Sequence, residues 1–188
     1  MMFIWSLYGN FFRRRRFSTF LTLVQEAIKQ NGHCRIADVG GRMEAWEPFR
    51  EAWEGLPIAV VLLNLSPSRL FIDYHFEEKI VDARDLSDYG DNSFDLVFSN
   101  SVIEHVGAWP EQQRLASEIM RIAPRHFVQT PNFWFPIEPH YRLPFVHWLP
   151  VSLRTVIVRC MAVGFYPRAT SRKHASEIVS DARLLSRP

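Results

Sequence analysis

Cys34-Arg-Ile-Ala-Asp-Val-Gly-Gly41 is the stretch that decides the fold. Six mostly apolar residues run straight into two glycines, the pattern of a buried strand entering a tight turn. A glycine has no Cβ, so the backbone of such a turn can lie close against a ligand.

Working outward, Phe17, Phe20, Leu21, Val24, Ala27 and Ile28 recur at helical spacing and Asn31-Gly32 supplies a stop, which predicts a helix over 17–29. Downstream, Glu44 to Trp53 reads as a helix and Ile58 to Leu63 as a strand covered on both faces. Ile80-Val81 reads as a weaker third strand, Phe94 to Phe98 as a fourth and His126 to Gln129 as a fifth, with a helix from Pro110 to Ile122 between the last two. This alternation predicts an α/β fold, a Rossmann-like, doubly wound, mostly parallel sheet. Ligands of such sheets bind beyond the carboxyl ends of the strands. Those ends read Asp38-Val-Gly-Gly41, Leu63-Asn-Leu65, Val81-Asp-Ala83, Phe98-Ser-Asn100 and Gln129-Thr-Pro-Asn132, each rich in polar residues or glycine.

A length of 188 residues predicts a single domain over 1–188, divided into an aromatic and basic segment with its helix (1–33), a ligand-binding core (34–132) and a C-terminal part (133–188). The 22 Lys and Arg against 20 Asp and Glu leave a net charge of +2, too small for a dedicated nucleic-acid binder, so no nucleic-acid partner is expected. Cys34 and Cys160 fit neither a metal nor a redox spacing, and a reducing cytoplasm suits the chain. The apolar start, Met1 to Phe12, precedes Arg13 to Arg16, the reverse of a secretory signal, and is too short to span a bilayer. Aromatics beside arginines suit peripheral contact with an anionic membrane; a solvated basic turn before the helix is the commoner meaning of a charge run. The eight glycines form no G-x-G-x-x-G and no P-loop, and H-E-x-x-H and G-x-S-x-G are missing, so the usual signatures of hydride transfer, ATP hydrolysis, zinc proteolysis and serine esterase chemistry are absent.

At its strand ends the sequence resembles the class I S-adenosylmethionine-dependent methyltransferases, and within them the methyltransferase type 11 branch. The resemblance runs from about Arg35 to Pro150. Arg35-Ile-Ala-Asp-Val-Gly-Gly41 is similar to the first motif and Val60-Val-Leu-Leu-Asn64 to the end of the second strand. Val81-Asp-Ala-Arg-Asp-Leu86 is similar to the adenine-side loop, and Asp91-Asn-Ser-Phe-Asp-Leu-Val-Phe-Ser-Asn-Ser-Val-Ile-Glu-His-Val106 to the fourth-strand segment. The resemblance implies S-adenosyl-L-methionine as cofactor. Gly40 and Gly41 would lie against its methionine part, Asp38 would favour its ammonium, and Asn64 would meet the ribose where the family usually has a carboxylate. Asp82 and the Ala83 N–H would meet adenine, with Ser99 and Asn100 beside the methionine moiety. A third glycine is missing from the first motif, where Arg42-Met-Glu44 stands before Trp46. Each of these residues alone is explained as readily by a turn or a cap; five in order at strand ends are not.

Methyl transfer to oxygen or nitrogen needs an aligned acceptor and a general base, for which His105 is the candidate, with Glu104 orienting it or touching the acceptor. Packing or capping of the following helix explains His105 equally well. No metal is expected, since Glu104 and His105 alone make no ligand set. The segment Thr130 to Pro150 holds five prolines and six aromatics, and Glu138, His140 and His147 in it are candidates to line an acceptor pocket. A small-molecule acceptor, hydrophobic or lipid-linked, is thus expected; the alternatives are a catalytically inactive binding module of the same fold and a peripheral membrane protein. The family's sheet ends in an antiparallel hairpin of two further strands. Here Val151 to Gly164 reads as a helix, and Arg172 to Leu185 is too polar and short to supply the hairpin. Ser186-Arg-Pro188 even resembles a helix start, so that edge is either truncated or built differently.

Overall fold

The computed structural model describes residues 2–67 and 73–186, with side chains from residue 12 onward. Most of the apolar start, and the last two residues of the expected C-terminal helix start, lie outside the described side chains. The chain falls into two compact units, one of Met1–Asn100 and Arg114–Val128, the other of Ser101–Gln113 and Gln129–Pro188.

The first unit is built on a parallel sheet of β1 (Cys34–Val39), β2 (Ile58–Asn64), β3 (Phe76–Ile80), β4 (Leu96–Asn100) and β5 (His126–Gln129), in the order β3-β2-β1-β4-β5. With its helices this is the α/β, Rossmann-like architecture expected. Strand order reverses between β1 and β4, which places the ligand crevice of such folds at the ends of these two strands. Register fixes what gathers there: Asp38 is level with Leu62 and Phe98, Val39 with Leu63 and Ser99.

Helix α1 runs over Met2–Asn31, so Arg13 to Arg16 lie within a helix rather than in the basic turn expected. Arginine is a good helix former, and all four side chains are exposed, in the part of the helix that precedes the buried stripe of Phe17, Phe20, Val24 and Ala27. Gly32 closes the helix at φ 79°, its N–H donating to Ile28 O. Asn31 and the Arg35 N–H then both donate to Asp95, tying the helix end and β1 to the start of β4.

The helix expected over 44–53 is broken. Two 3-10 turns, Met43–Ala45 and Glu47–Phe49, lead into a single α-turn, α2 (Arg50–Trp53). Pro48 has no N–H for a continuous helix, and the break lets Trp46 and Trp53 turn into the core, where both are fully buried. Trp46 meets Phe17, Phe20, Trp53 and Phe76 edge-on, at centroid distances of 5.5 to 6.1 Å. Each fully buried aromatic contributes on the order of 3 kcal/mol. The third strand lies upstream of its expected place, ending at Ile80, because Phe76 packs against the aromatic core while Val81 already belongs to the loop; β4 is displaced two residues toward its end. Helix α3 (Trp109–Ile122) buries Leu115, Ile119 and Ile122, and its Glu118 and Arg121 pin the loop after β3 through the Leu86 N–H, Leu86 O and Tyr89 O.

In the second unit α4 (Val151–Cys160) ends before the Gly164 limit expected, and α5 (Arg172–Ser180) is a helix capped by Ser171, whose Oγ accepts the His174 N–H. Val158, Val163, Ala175, Ile178 and Val179 form its core with Tyr141 and Val146. The tail returns to pair with the segment after β5, with Leu185 bridging Asn132 in parallel. Among the described residues no helix is long and apolar enough to cross a membrane.

Candidate functional site

At the end of β1 the chain bends at Gly40, whose φ is 69°, and the Gly40 N–H donates to Leu63 O at 2.8 Å. Asp38 is 1% exposed beneath this bend. Its Oδ2 accepts Trp46 Nε1–H at 2.8 Å, while Oδ1 is buried without a partner. Burial pushes the Asp38 carboxyl up to about 7, outweighing the Trp46 hydrogen bond that acts the other way. The carboxylate occupies the space a side chain at 41 would need: a Cβ there would stand 1.9 Å from Asp38 Cγ. Gly41 is therefore required for its missing atom.

Asn64, at the end of β2, donates through Nδ2 to Gly41 O at 2.9 Å and to Glu78 Oε1 at 3.2 Å. A carboxylate has no hydrogen to give, so the amide at this position is explained by its role in holding the glycine turn. Asp82 is oriented by the Arg84 backbone N–H and guanidinium, which hold its carboxyl below the ordinary range. Ala83 follows in the same half-exposed turn. Ser99 is fully buried with its hydroxyl 3.4 Å from Val39 O, and Asn100 beyond it is exposed. The six residues Asp38, Gly40, Gly41, Asn64, Ser99 and Asn100 thus stand at the ends of three adjoining strands of the first unit.

Glu104 and His105 belong to the second unit, on a 3-10 turn over Ile103–His105. Glu104 is fully buried; its Oε2 accepts the Thr130 hydroxyl at 3.0 Å and its Oε1 has no partner. His105 Nδ1 lies 3.0 Å from the backbone oxygen of Asp181, and a carbonyl only accepts, so Nδ1 carries the proton. His105 Nε2 faces His140 Nε2 at 3.2 Å. His140 Nδ1 is bound to Glu138, and this hydrogen bond holds the His140 ring above its ordinary range despite partial burial. Burial raises Glu138, but the His140 contact and the Tyr141 N–H outweigh it and keep the carboxyl low. The His140 and Asp181 partnerships were not legible in the sequence, where 35 and 76 residues separate them from His105.

A half-open cavity of about 400 Å³ in this unit is lined by Phe133, Glu138, Tyr141, His147, Arg154 and Tyr166, among others. Of the expected pocket residues it takes in Glu138 and His147. His147 Nε2 lies 2.8 Å from Phe133 O, which makes it the donor and leaves Nδ1, buried and unpartnered, as an acceptor; Arg154 Nε is likewise buried without a partner. Trp134, Phe135, Phe145 and Trp148 of the same proline-rich segment are exposed.

A parallel sheet with a glycine bend and a buried acid at its switch point defines the Rossmann-like class. Within that class, residues 46–125 match the type 11 methyltransferase family, described as a methyltransferase domain, so the resemblance carried by the strand-end motifs holds over that segment. The uncharacterized proteins MT1557 and Rv1509 of Mycobacterium tuberculosis (strains CDC 1551 / Oshkosh and ATCC 25618 / H37Rv) are each 28% identical over 112 residues, 59% of this chain and 36% of theirs. This chain thus spans about a third of the length of the curated relatives it matches. Among solved structures, the [4+2]-cyclase SpnF is 20% identical, with 54% of this chain and 40% of that one covered at a TM-score of 0.40. A chain of the complex containing the Haloferax volcanii Trm112 methyltransferase activator is 18% identical, with 64% and 54% covered at 0.39.

Proposed function

We propose that the chain is an S-adenosylmethionine-dependent methyltransferase acting on an oxygen or nitrogen of a small, partly apolar acceptor. The observation that carries this reading is Asp38: a carboxyl buried under a glycine bend, with one oxygen partnered and the other not. An isolated buried acceptor is costly, and an ammonium group beside it removes that cost. The residues present fit the amino-acid end of S-adenosylmethionine, which supplies an electrophilic sulfonium methyl when bound. Asp38 would hold the ammonium, the Gly40–Gly41 backbone would meet the methionine part, and Asn64, Asp82, Ala83, Ser99 and Asn100 would serve the nucleoside and methionine portions.

The second unit supplies the acceptor side of the reading. A cavity with Arg154 and His147 among its lining residues suits an acceptor carrying an anionic or carbonyl oxygen together with a hydroxyl or amine. The aromatic walls, and the exposed Trp134, Phe135 and Trp148, suit a hydrophobic or lipid-linked body. Both ring nitrogens of His105 have partners, so His105 serves as a base only after its contact with His140 opens. That engagement also favours a second reading, a binding module that holds the cofactor without transfer. A cytoplasmic location is part of the proposal.

Isothermal titration with S-adenosylmethionine tests cofactor binding, and a labelled methyl donor with cell extract tests transfer. Binding with a labelled product supports the methyltransferase; binding without product supports the module; no binding overturns both.

A further inference from the structure

We propose that Glu104, His105 and His140 form a binding site for a first-row divalent metal ion of the zinc class. The proposal does not rest on methyl transfer and concerns the second unit alone; with the ion bound, His105 Nε2 is a ligand and not a base. One oxygen of Glu104 and one nitrogen of each histidine lie within 4.8 Å of one another. Two imidazole nitrogens bound to one tetrahedral zinc, each about 2.05 Å from it, stand about 3.3 Å apart; His105 Nε2 and His140 Nε2 are 3.2 Å apart.

A proton shared between the two rings would satisfy that distance as well, and two further observations favour the ion. The ring centroids are 4.9 Å apart, closer than a straight N–H···N line across 3.2 Å would place them. The contact is therefore bent rather than straight, as it would be if both nitrogens bound one ion beside the line that joins them. Glu104 is fully buried, and its Oε1 has no hydrogen-bond partner. A shared proton makes no use of the Glu104 carboxylate, which lies within 4.8 Å of both ring nitrogens; a metal ion does.

The outer groups are those of a metal site. His140 Nδ1 is held by the Glu138 carboxylate and His105 Nδ1 by the Asp181 carbonyl, so each ring presents Nε2 to the common point. Glu138 is itself fixed by the Tyr141 N–H at 2.8 Å. Gly164 sets the backbone: a Cβ there would stand 1.8 Å from His140 O, which accepts the Phe165 N–H instead. Two histidines and one carboxylate form the ligand set of open zinc sites, in which water takes the fourth position, and they suit cobalt equally.

The untagged full chain, stripped with chelator, is titrated with Co2+ and followed by visible absorption, with Zn2+ as competitor. One equivalent of Co2+ with the strong band of tetrahedral coordination, displaced by Zn2+, is expected. His105→Ala and His140→Ala should each weaken binding by about tenfold or more, and His174→Ala should leave it unchanged. Should either ligand variant fail to fold, 15N spectra of wild-type histidine rings during Zn2+ addition decide, with Nε2 of His105 and His140 shifting. No Co2+ band, a band that survives both ligand variants, or ring shifts confined to other histidines overturns the proposal.

Discussion

The substitution Asp38→Asn tests the buried acid from which the cofactor reading is built. Burial lifts this carboxyl from 3.8 to about 7 in the folded chain. That is about three pKa units, which at 1.36 kcal/mol each amount to about 4 kcal/mol of pH-dependent stability. Because the folded pKa is the higher one, the native state keeps a proton that the unfolded chain releases. The contribution is therefore fully present below pH 3.8, declines as pH rises, and is lost once pH has passed through about 7. Of the total, about 2.5 kcal/mol should disappear between about pH 5 and pH 8. The substituted amide cannot ionise, and its oxygen can still accept the Trp46 N–H, so the variant should lack this slope. Urea unfolding of both proteins across that range measures the difference directly. A cation bound beside Asp38 favours the ionised form, so S-adenosylmethionine should raise the wild-type Tm more at pH 8 than at pH 6. Parallel stability curves for wild type and variant would refute the argument, since they would mean that Asp38 ionises as it does in water.

Gly41→Ala places a Cβ on the Asp38 carboxylate; it should cost about 1–3 kcal/mol in urea unfolding and abolish S-adenosylmethionine binding by calorimetry. Asn64→Asp removes the N–H groups that hold Gly41 O and Glu78 and sets two carboxylates together, so it should destabilise by about 1–3 kcal/mol at neutral pH, with partial recovery as the medium is acidified. Ser171→Ala removes the α5 cap and should cost about 1 kcal/mol in thermal unfolding without altering cofactor affinity.

Much of the first unit is written in short-range pattern. Cys34–Val39 and Ile58–Asn64 are nearly continuous apolar runs because both faces of a central parallel strand are covered, and Gly40-Gly41 marks the bend because Gly40 has a positive φ and Gly41 leaves no room for a Cβ. The pattern misleads where tertiary contacts outweigh local preference. The helix expected over 44–53 gives way to 3-10 turns because burying Trp46 and Trp53 is worth more than a few helical hydrogen bonds. The arginine run joins α1 because arginine is a good helix former and these four side chains stand exposed in the part of the helix that precedes its buried stripe.

The amino-acid order by itself determined the parallel sheet, the glycine bend and which polar residues stand at the strand ends, since periodicity and backbone freedom act over a few residues. Only the folded chain decided that Asp38 is left with an unpartnered oxygen, that Asn64 serves the turn as a donor, and that His105 meets His140 and Asp181. Partnerships of that kind join distant segments and depend on burial and angle, which a linear pattern does not encode.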